Sequence, residues 1–248
     1  MSSLHRLFIR TFTLSGYSSH KMSETNRLDT WNERWEQGRT GWQKTEVNFA
    51  LKNHGNALFP SPGRRVLLPL CGKTLDLKWC YDEGHHVVGI EGIEKPVADF
   101  FTEHNIPHSI DQLSWAKLYK SEDSRLQIFC CDLFGIDVKA IGKFDSVFDR
   151  GSLVAIYEED RERYAELMKS ILSEDFRYLV NLVQYTPTEN FSGPPRNIPT
   201  ALVEKLFGDK VSIEVLETLN RTEEDPKVKG TWGLDSMFEV VALLSPKK

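Results

Sequence analysis

Polar residues that can bind a ligand follow two apolar runs of this sequence. Glu91 comes directly after the apolar run 87–90, and the run 66–70 ends in a turn at Gly72. The carboxyl ends of parallel strands meet at one edge of a sheet, so these two positions are expected to lie close together. A carboxylate about 20 residues after such a turn can accept hydrogen bonds from both ribose hydroxyls of an adenosine. The alternative is a solvated acid at a strand end, but the preceding turn favours the ligand site.

The turn at Gly72 differs from a phosphate-binding loop. It contains a single glycine, which lets the backbone approach a ligand closely. It lacks the G-x-G-x-x-G spacing of dinucleotide-binding loops. The segment therefore indicates a ligand without phosphates, held by backbone amides and carbonyls. Taken alone, the same segment is also typical of a purely structural turn.

Two further apolar runs end in residues that can contact the same ligand. Asp132 can accept a hydrogen bond from an adenine amino group, with Leu133 against the ring, or it can cap the turn that follows. Arg150 follows Asp149 at the end of another run. A guanidinium there is either a surface cation or a clamp near the reacting atoms, and the geometry of open sheets favours the clamp.

These positions are arranged by an alternation of predicted helices and strands. The apolar spacing predicts helices over residues 28–38, 74–83, 96–105, 158–172 and 200–207. It predicts strands over residues 66–70, 87–90, 126–131, 144–148, 178–183, 212–219 and 237–244. The alternation indicates an α/β fold with a doubly wound, mainly parallel, seven-stranded sheet. No helical pattern separates the last two strands, so they are expected to form an antiparallel pair.

The first predicted helix carries two indoles on one side. Trp31 and Trp35 are four residues apart, Gly38 is the expected stop, and a third indole follows at Trp42. Indole faces can stabilise a bound cation by about 0.5–2 kcal/mol. The alternative is that these residues only anchor the helix to the core.

The composition excludes several classes of function. The formal net charge of −5 argues against a general nucleic-acid binder, which needs a basic face. The four cysteines form no C-x-x-C pair and have no histidine at zinc-finger spacing, so no metal site is predicted. No apolar run approaches the roughly 20 residues that cross a bilayer. The cysteine usage favours a reducing compartment.

The first 22 residues form a separate leader. No acid precedes Glu24, whereas Arg6 and Arg10 are basic and Ser and Thr are frequent. This composition is typical either of a disordered leader, bypassed by a start at Met22, or of a mitochondrial transit peptide. Residues 23–248 are predicted to form a single domain. A chain that starts at Met22 is expected to keep its activity and stability.

Several segments together resemble the thiopurine S-methyltransferase family. The tryptophan-rich segment 31–42 and the Pro-Leu-Cys-Gly-Lys segment 69–73 are specific in combination, although neither is specific alone. The resemblance extends to segments 84–85, 87–91, 142–145, 149–156, 193–195 and 232–233. It implies the class I methyltransferase fold, S-adenosyl-L-methionine as cofactor, and S-methylation of aromatic or heterocyclic thiols such as thiopurines.

The resemblance also implies the residues of the site. Segment 31–42 closes over the cofactor, and the implied cofactor contacts are Trp31, Trp35, Gly38, Thr40, Trp42, Leu70, Glu91, Asp132, Leu133 and Arg150. Trp42 and Arg150 also contact the acceptor, and Arg150 positions it for the reaction. No general base is assigned, because thiols with a pKa near 8.5 already supply thiolate at neutral pH.

The chain departs from the family mainly where the acceptor binds. Trp42 stands where vertebrate members have phenylalanine, and Asp132 stands where they often have serine. The loop after segment 193–195 has Arg196 and Asn197 in place of aromatic residues. Acceptor choice is therefore less constrained by the resemblance than cofactor choice.

A further departure precedes Trp232, where the nearby cations are Lys227 and Lys229 in place of an arginine. Two alternatives stay open: a methyltransferase for a nitrogen, halide or chalcogen acceptor, or a non-catalytic cofactor-binding protein. No Asn-Pro-Pro-Tyr or Asp-Pro-Pro-Tyr follows the fourth strand, which argues against methylation of nucleic-acid amines. The chain is expected to act on a small molecule as a cytoplasmic monomer, without nucleic-acid or membrane partners. Mitochondrial localisation is the alternative if the leader is a transit peptide.

Overall fold

The computed structural model describes residues 24–208 and 211–247. The leader predicted over residues 1–22 lies outside the described residues. The α-helices in the described ranges are α1 (Glu24–Glu36), α2 (Phe49–Leu58), α3 (Leu75–Asp82), α4 (Glu94–Glu103), α5 (Val138–Ile141), α6 (Arg161–Ile171), α7 (Thr200–Phe207) and α8 (Pro226–Lys229). None of these described helices is long and apolar enough to cross a bilayer.

One sheet runs through the described part of the chain. Its strands are β1 (Arg65–Pro69), β2 (His86–Glu91), β3 (His108–Gln112), β4 (Lys117–Ser121), β5 (Leu126–Cys130), β6 (Phe144–Arg150), β7 (Leu172–Gln184), β8 (Val211–Asn220) and β9 (Phe238–Pro246). They lie in the order β3-β4-β5-β2-β1-β6-β7-β9-β8. The five central strands, from β5 to β7, run parallel. Antiparallel strands flank them on both sides.

Both faces of the parallel strands are covered by helices, because the strands are apolar on both sides. Residues of α2, α3 and α4 pack on one face, together with Val66 and Leu68 of β1. Residues of α6 and α7 pack on the other face, together with Leu67 of the same strand. These three neighbours alternate between the faces with the two-residue period of a strand. The doubly wound α/β fold is confirmed.

The predicted count of seven strands is wrong, because the sheet has nine. The two additional strands are β3 and β4, a hairpin beside β5. Every residue of β3 is exposed, so this strand lacks the apolar alternation that identifies a half-buried strand. Backbone pairing holds it instead, and Leu113 N donates to Ala116 O at 2.8 Å in the turn. The predicted antiparallel pair at the C-terminus is confirmed as β8 and β9.

The sequence pattern does not predict α2. Its sequence contains Gly55 and two asparagines, which weaken a helical pattern. Asn48 begins the helix, and its side chain accepts a hydrogen bond from Ala50 N at 2.9 Å. Leu51 and Leu58 are fully buried. Packing of the helix face that carries these leucines therefore stabilises α2, although its residues have low helix propensity.

Candidate active site

The turn after β1 is held against the end of β2. Leu70 and Gly72 both have positive φ angles, 44° and 52°, which reverse the chain immediately after the strand. Cys71 N donates to Ile90 O at 3.0 Å. Gly72 N donates to Glu91 Oε2 at 2.8 Å. The structure therefore brings Gly72 and Glu91 together at one edge of the sheet, as the sequence predicts.

The Glu91 carboxylate is buried and carries two backbone hydrogen bonds. Its Oε1 accepts from Ile93 N at 2.9 Å, while its Oε2 accepts from Gly72 N. Burial raises the pKa of Glu91, and the two amides oppose this shift because they stabilise the carboxylate. Each oxygen retains a lone pair for one further donor. The carboxylate can therefore receive two neighbouring hydroxyl groups.

A cavity of about 100 Å³ lies between α1 and the carboxyl ends of the strands. Four of the predicted cofactor residues line it, namely Trp31, Leu70, Asp132 and Leu133. Its other walls are Arg27, Leu28, Gly92, Phe134, Ala155, Ile156, Tyr157 and Asp160. Most of these side chains are apolar or aromatic, a lining that suits a flat organic ligand.

Asp132 lines this cavity and also caps the turn after β5. Its Oδ1 accepts a hydrogen bond from Phe134 N at 2.9 Å, at the start of the short 3₁₀ helix Leu133–Gly135. The structure thus shows the capping role that the sequence offers as an alternative. A carboxylate accepts several hydrogen bonds, so capping and ligand contact are compatible. The ligand contact of Asp132 stays a prediction.

Helix α1 rests on the end of β2 because Gly92 has no side chain. A Cβ on Gly92 would lie 2.6 Å from Leu28 Cδ2. Leu28 and Trp31 are three residues apart, so they share the helix face that covers the cavity. Arg27 of the same helix forms an ion pair with Glu159 at 2.8 Å. Helix α1 is therefore the roof of the cavity.

Three indoles form a cluster beside this roof. The Trp42 ring meets Trp31 edge to face, with centroids 5.1 Å apart, and meets Trp35 in the same way at 5.7 Å. Trp35 is only 6% exposed, so it anchors α1 to the core, one of the two roles considered for it. The Arg34 guanidinium lies over the Trp31 ring at 4.9 Å. The Trp31 ring is thus already in contact with the Arg34 guanidinium. Of the Trp31 and Trp42 rings, Trp42 is therefore the stronger candidate for a wall of the acceptor site.

Hydrogen bonds shape the loop that carries Trp42. Gly38 ends the helical segment with a φ of 65°. Thr40 O accepts a hydrogen bond from Gln43 N at 2.8 Å. Gln43 Nε2 donates to Lys73 O at 3.0 Å and ties this loop to the turn after β1. Gly38 and Thr40 do not line the described cavity, and their contact with the cofactor stays a prediction.

Arg150 lies at the end of β6 and contacts the same loop. Its Nη2 donates to Trp42 O at 2.9 Å. Neither Arg150 nor Trp42 lines the described cavity, but Trp42 contacts Trp31, which does. The structure therefore places this pair on an adjoining part of the sheet edge. Its role towards an acceptor stays a prediction.

A buried network fixes the end of β6. Asp149 accepts hydrogen bonds from the hydroxyls of Tyr164 and Tyr178, both at 2.7 Å, and from Leu153 N at 3.0 Å. Burial raises the pKa of Asp149, and the two tyrosine hydroxyls oppose this shift. Ser152 Oγ donates to the last carbonyl of β1 at 2.6 Å. The backbone that carries Arg150 is thus held from both neighbouring strands and from α6.

Some residues that line the cavity could be predicted from their positions next to other site residues. Gly92 directly follows Glu91, and Leu28 precedes Trp31 by about one helical turn. Tyr157 could not be predicted in this way, because it lies in an irregular segment after β6. Only the folded chain brings it to the cavity.

The geometry fits an adenosine-containing cofactor. The carboxylate of Glu91 accepts hydrogen bonds from Gly72 N and Ile93 N and keeps lone pairs for further donors. Glu91 does not line the described cavity, but its neighbour Gly92 does, together with the apolar side chains of Leu133 and Phe134. The doubly wound sheet and its antiparallel C-terminal strands form the class I methyltransferase fold.

Solved structures with low sequence identity support this class of fold. The 1,6-didemethyltoxoflavin-N1-methyltransferase of Burkholderia thailandensis matches with a TM-score of 0.60 and 15% identity, over 89% of this chain and 88% of that one. An S-adenosylmethionine-dependent methyltransferase of Anabaena variabilis matches with a TM-score of 0.59 and 12% identity, over 90% and 96%. At such identities the likeness shows the fold alone.

Sequence comparison identifies the family. The thiopurine S-methyltransferase (TPMT) family model matches residues 26–247. The thiopurine S-methyltransferase of Mus musculus is 38% identical over 224 residues, 89% of this chain and 92% of the relative. That of Rattus norvegicus is 36% identical over 241 residues, 94% and 99%. The chain belongs to the thiopurine S-methyltransferase family, and it is an S-adenosylmethionine-dependent methyltransferase.

A substitution at Gly72 tests the packing of the indoles on the turn. A Cβ there would lie 3.1 Å from Trp35 Cζ2 and 3.4 Å from Gln43 Oε1. Gly84 also has a positive φ, 87°, but its Cβ would meet no described atom within 4 Å. Both glycine-to-alanine variants should lose about 1–2 kcal/mol of stability from the left-handed backbone. Overpacking should cost Gly72→Ala about 1–3 kcal/mol more.

Thermal unfolding and calorimetric titration with S-adenosylhomocysteine measure the two effects. Gly72→Ala should weaken binding as well as stability, whereas Gly84→Ala should keep the affinity of the unmodified chain. Equal affinities in the two variants would show that the turn and the indoles are not coupled to the cofactor site.

Proposed function

We propose that this chain transfers the methyl group of S-adenosylmethionine to the sulfur of aromatic and heterocyclic thiols, thiopurines among them. The observation that carries the proposal is the pair formed by Arg150 and Trp42, joined at 2.9 Å beside the roof of the cofactor cavity. An indole offers a flat wall to an aromatic acceptor, and a guanidinium offers a fixed positive charge. The family membership of the chain supports the same acceptor class.

Each predicted cofactor residue would contact a different part of S-adenosylmethionine. Glu91 receives the ribose hydroxyls, Asp132 receives the adenine amino group, and Leu133 packs on the adenine ring. Trp31 covers the cofactor from α1, and Leu70 contacts it from the turn after β1. Gly38 and Thr40 contribute through the loop that ends in Trp42, and Trp35 holds that loop to the core.

The reaction is a direct displacement. S-adenosylmethionine, when bound, supplies a methyl group on a positively charged sulfonium sulfur. Arg150 and Trp42 hold the thiol sulfur in line with that methyl group. Alignment of two reactants in one site can supply about 7–11 kcal/mol of the barrier reduction. The chain therefore needs to position and shield the reactants more than to donate or accept protons.

The thiol reaches the site already partly ionised. Thiols titrate near pH 8.5 and aromatic thiols lower, so a fraction is thiolate at neutral pH. The guanidinium of Arg150 favours the thiolate further, since a nearby positive charge lowers the pKa of an acid. A guanidinium cannot take up a proton from the thiol, so Arg150 acts by its position and its field. No general base is required.

A panel of acceptors with labelled cofactor tests the proposed function. Aromatic and heterocyclic thiols should be methylated faster than aliphatic thiols, aromatic amines, halide or chalcogen anions. Faster turnover of a nitrogen, halide or chalcogen acceptor would replace the proposal by that activity. Tight binding of S-adenosylhomocysteine without turnover of any acceptor would identify a non-catalytic binding protein.

The partners and the compartment belong to the same proposal. We expect the chain to act as a monomer in the cytoplasm, on small molecules and not on nucleic acid. If the leader over residues 1–22 is a transit peptide, the chain instead enters mitochondria. Cell fractionation of the full-length chain and of a chain starting at Met22 separates these two outcomes.

A further inference from the structure

Two arginines with an unused donor lie in the parts of the chain that follow β6 and β7. Arg161 and Arg196 are half-buried, and the Nε atom of each is enclosed without a hydrogen-bond partner. Arg27, the third guanidinium of this region, also has an enclosed Nε without a partner, but its two terminal nitrogens are paired with Glu159 and Asp160. Arg196 Nη1 donates to Ser192 O at 3.3 Å. A buried donor without a partner costs free energy, so Arg161 and Arg196 still have capacity for an acceptor group.

Arg196 lies between the segment after β6 and the loop after β7. Its backbone N donates to Val154 O at 2.7 Å, in the segment after β6. Its guanidinium lies over the Tyr157 ring at 4.0 Å, and Tyr157 lines the cofactor cavity. On its other side, Tyr185 Oη donates to Pro195 O at 2.8 Å. Arg196 therefore stands between the cofactor cavity and the loop after β7.

An aromatic wall continues from Tyr185. Its ring lies 5.5 Å from Phe191, centroid to centroid, and Phe191 stacks on Trp232 at 4.5 Å with the planes 17° apart. Tyr185 is buried in a hydrophobic cluster, whereas Phe191 and Trp232 are only partly buried, so these two rings can contact the ring of an aromatic acceptor. A substituent on the acceptor ring would then lie close to Arg196.

The two guanidiniums also repel each other. Burial is the main reason that the pKa of Arg161 lies below its usual value; the charge of Glu158 opposes the shift, and the positive charge of Arg196 adds to it. Both arginines stay charged, because guanidinium groups do not deprotonate in proteins. Glu158 and Glu159 both attract Arg161, but both acids are exposed and Glu159 is also paired with Arg27. A bound anion would offset the repulsion.

We propose that Arg196 and Arg161 form an anion subsite of the acceptor site, which makes aromatic thiols that carry a carboxylate better acceptors than neutral ones. The inference rests on the proposed function, because it names the acceptor class for the same site. The planar fork of a guanidinium pairs with a carboxylate through two parallel hydrogen bonds. Arg150 then acts at the reacting sulfur, while Arg196 and Arg161 bind the far end of the acceptor.

The test compares 4-mercaptobenzoate with its methyl ester, which keeps the ring but not the charge, at a pH at which both thiols are ionised. The unmodified chain should show a kcat/KM about tenfold or more higher for the acid, the effect of a hydrogen bond to a charged group. Arg196→Gln should lower kcat/KM for the acid by about tenfold and for the ester by less than about threefold. Arg196→Lys should recover part of the loss, and Arg161→Gln should cause a smaller loss of the same kind.

Arg177→Gln is the control, because Arg177 pairs with Asp175 away from the carboxyl ends of the strands. It should leave the acid-to-ester ratio unchanged. An acid-to-ester ratio near one in the unmodified chain, or the same ratio in the chain and in Arg196→Gln, would overturn the anion subsite while leaving the thiol activity in place. No methylation of either compound would overturn the proposed function, and the subsite with it.

Discussion

Replacing Glu91 with alanine is expected to weaken binding of S-adenosylhomocysteine by about 1.5–3 kcal/mol, the loss of hydrogen bonds to a charged group. The structure adds a second cost, because Gly72 N and Ile93 N both donate to this carboxylate. Without it, these two amides lose their acceptor, and the turn loses one of its hydrogen bonds to the end of β2, while the bond from Cys71 N to Ile90 O remains. Calorimetric titration measures the affinity, and thermal unfolding measures the stability.

Two further variants separate ligand contact from turn stability. Glu91→Gln keeps the shape and one acceptor oxygen, so it should recover more stability than affinity. Glu214→Ala removes an exposed acid of β8 and should change neither quantity. An affinity of Glu91→Ala equal to that of the unmodified chain, with the fold intact, would remove Glu91 from the cofactor site.

Replacing Arg150 with alanine should lower kcat/KM for aromatic thiols by about 10–100-fold, the range for a lost hydrogen bond to a charged group. The loss should be smaller for thiols that are fully ionised at the assay pH, because these no longer need a positive charge to form the thiolate. Arg150→Lys keeps the charge but loses the planar fork, so it should recover only part of the activity. A pH series of kcat/KM with one acidic and one weakly acidic aromatic thiol measures both effects.

The contact between Arg150 and Trp42 provides a control for this experiment. Arg150→Ala also removes the donor to Trp42 O, so the loop can loosen over the cofactor. The affinity for S-adenosylhomocysteine reports that loosening separately from acceptor handling. If Arg150→Ala leaves both pH profiles like those of the unmodified chain, Arg150 is a surface cation and the proposed clamp is wrong.

Local patterns predicted the part of the site that lies directly after strands. The apolar runs before Gly72 and Glu91 are short and continuous, and such runs mark the buried parallel strands β1 and β2. Since parallel strands end at one edge, the contact of Gly72 with Glu91 followed from topology. Arg150 was placed at the same edge for the same reason. The family motifs then supplied the cofactor that this geometry fits.

The remaining features depend on contacts that no local pattern records. Strand β3 is exposed throughout and is held by pairing with β4, so its sequence reads as a loop. Leu28 reaches the cavity only because Gly92 lacks a side chain, a fact of packing between distant segments. Arg196 contacts Tyr157 across 39 positions of the sequence, in segments without helical or strand periodicity. Only the folded chain therefore shows the β3–β4 hairpin, the position of α1 over the cavity, and the pair formed by Arg161 and Arg196.

The position of a transferred label on 6-mercaptopurine tests the central claim most directly, since this acceptor offers a sulfur and several ring nitrogens to the same site. The chain is incubated with the thiopurine and S-adenosylmethionine labelled with ¹³C in its methyl group, and the product is examined by heteronuclear correlation spectroscopy. We expect the labelled carbon on the exocyclic sulfur, with a rate that falls in Arg150→Ala. A label found on a ring nitrogen, or no labelled product at all, would contradict the account.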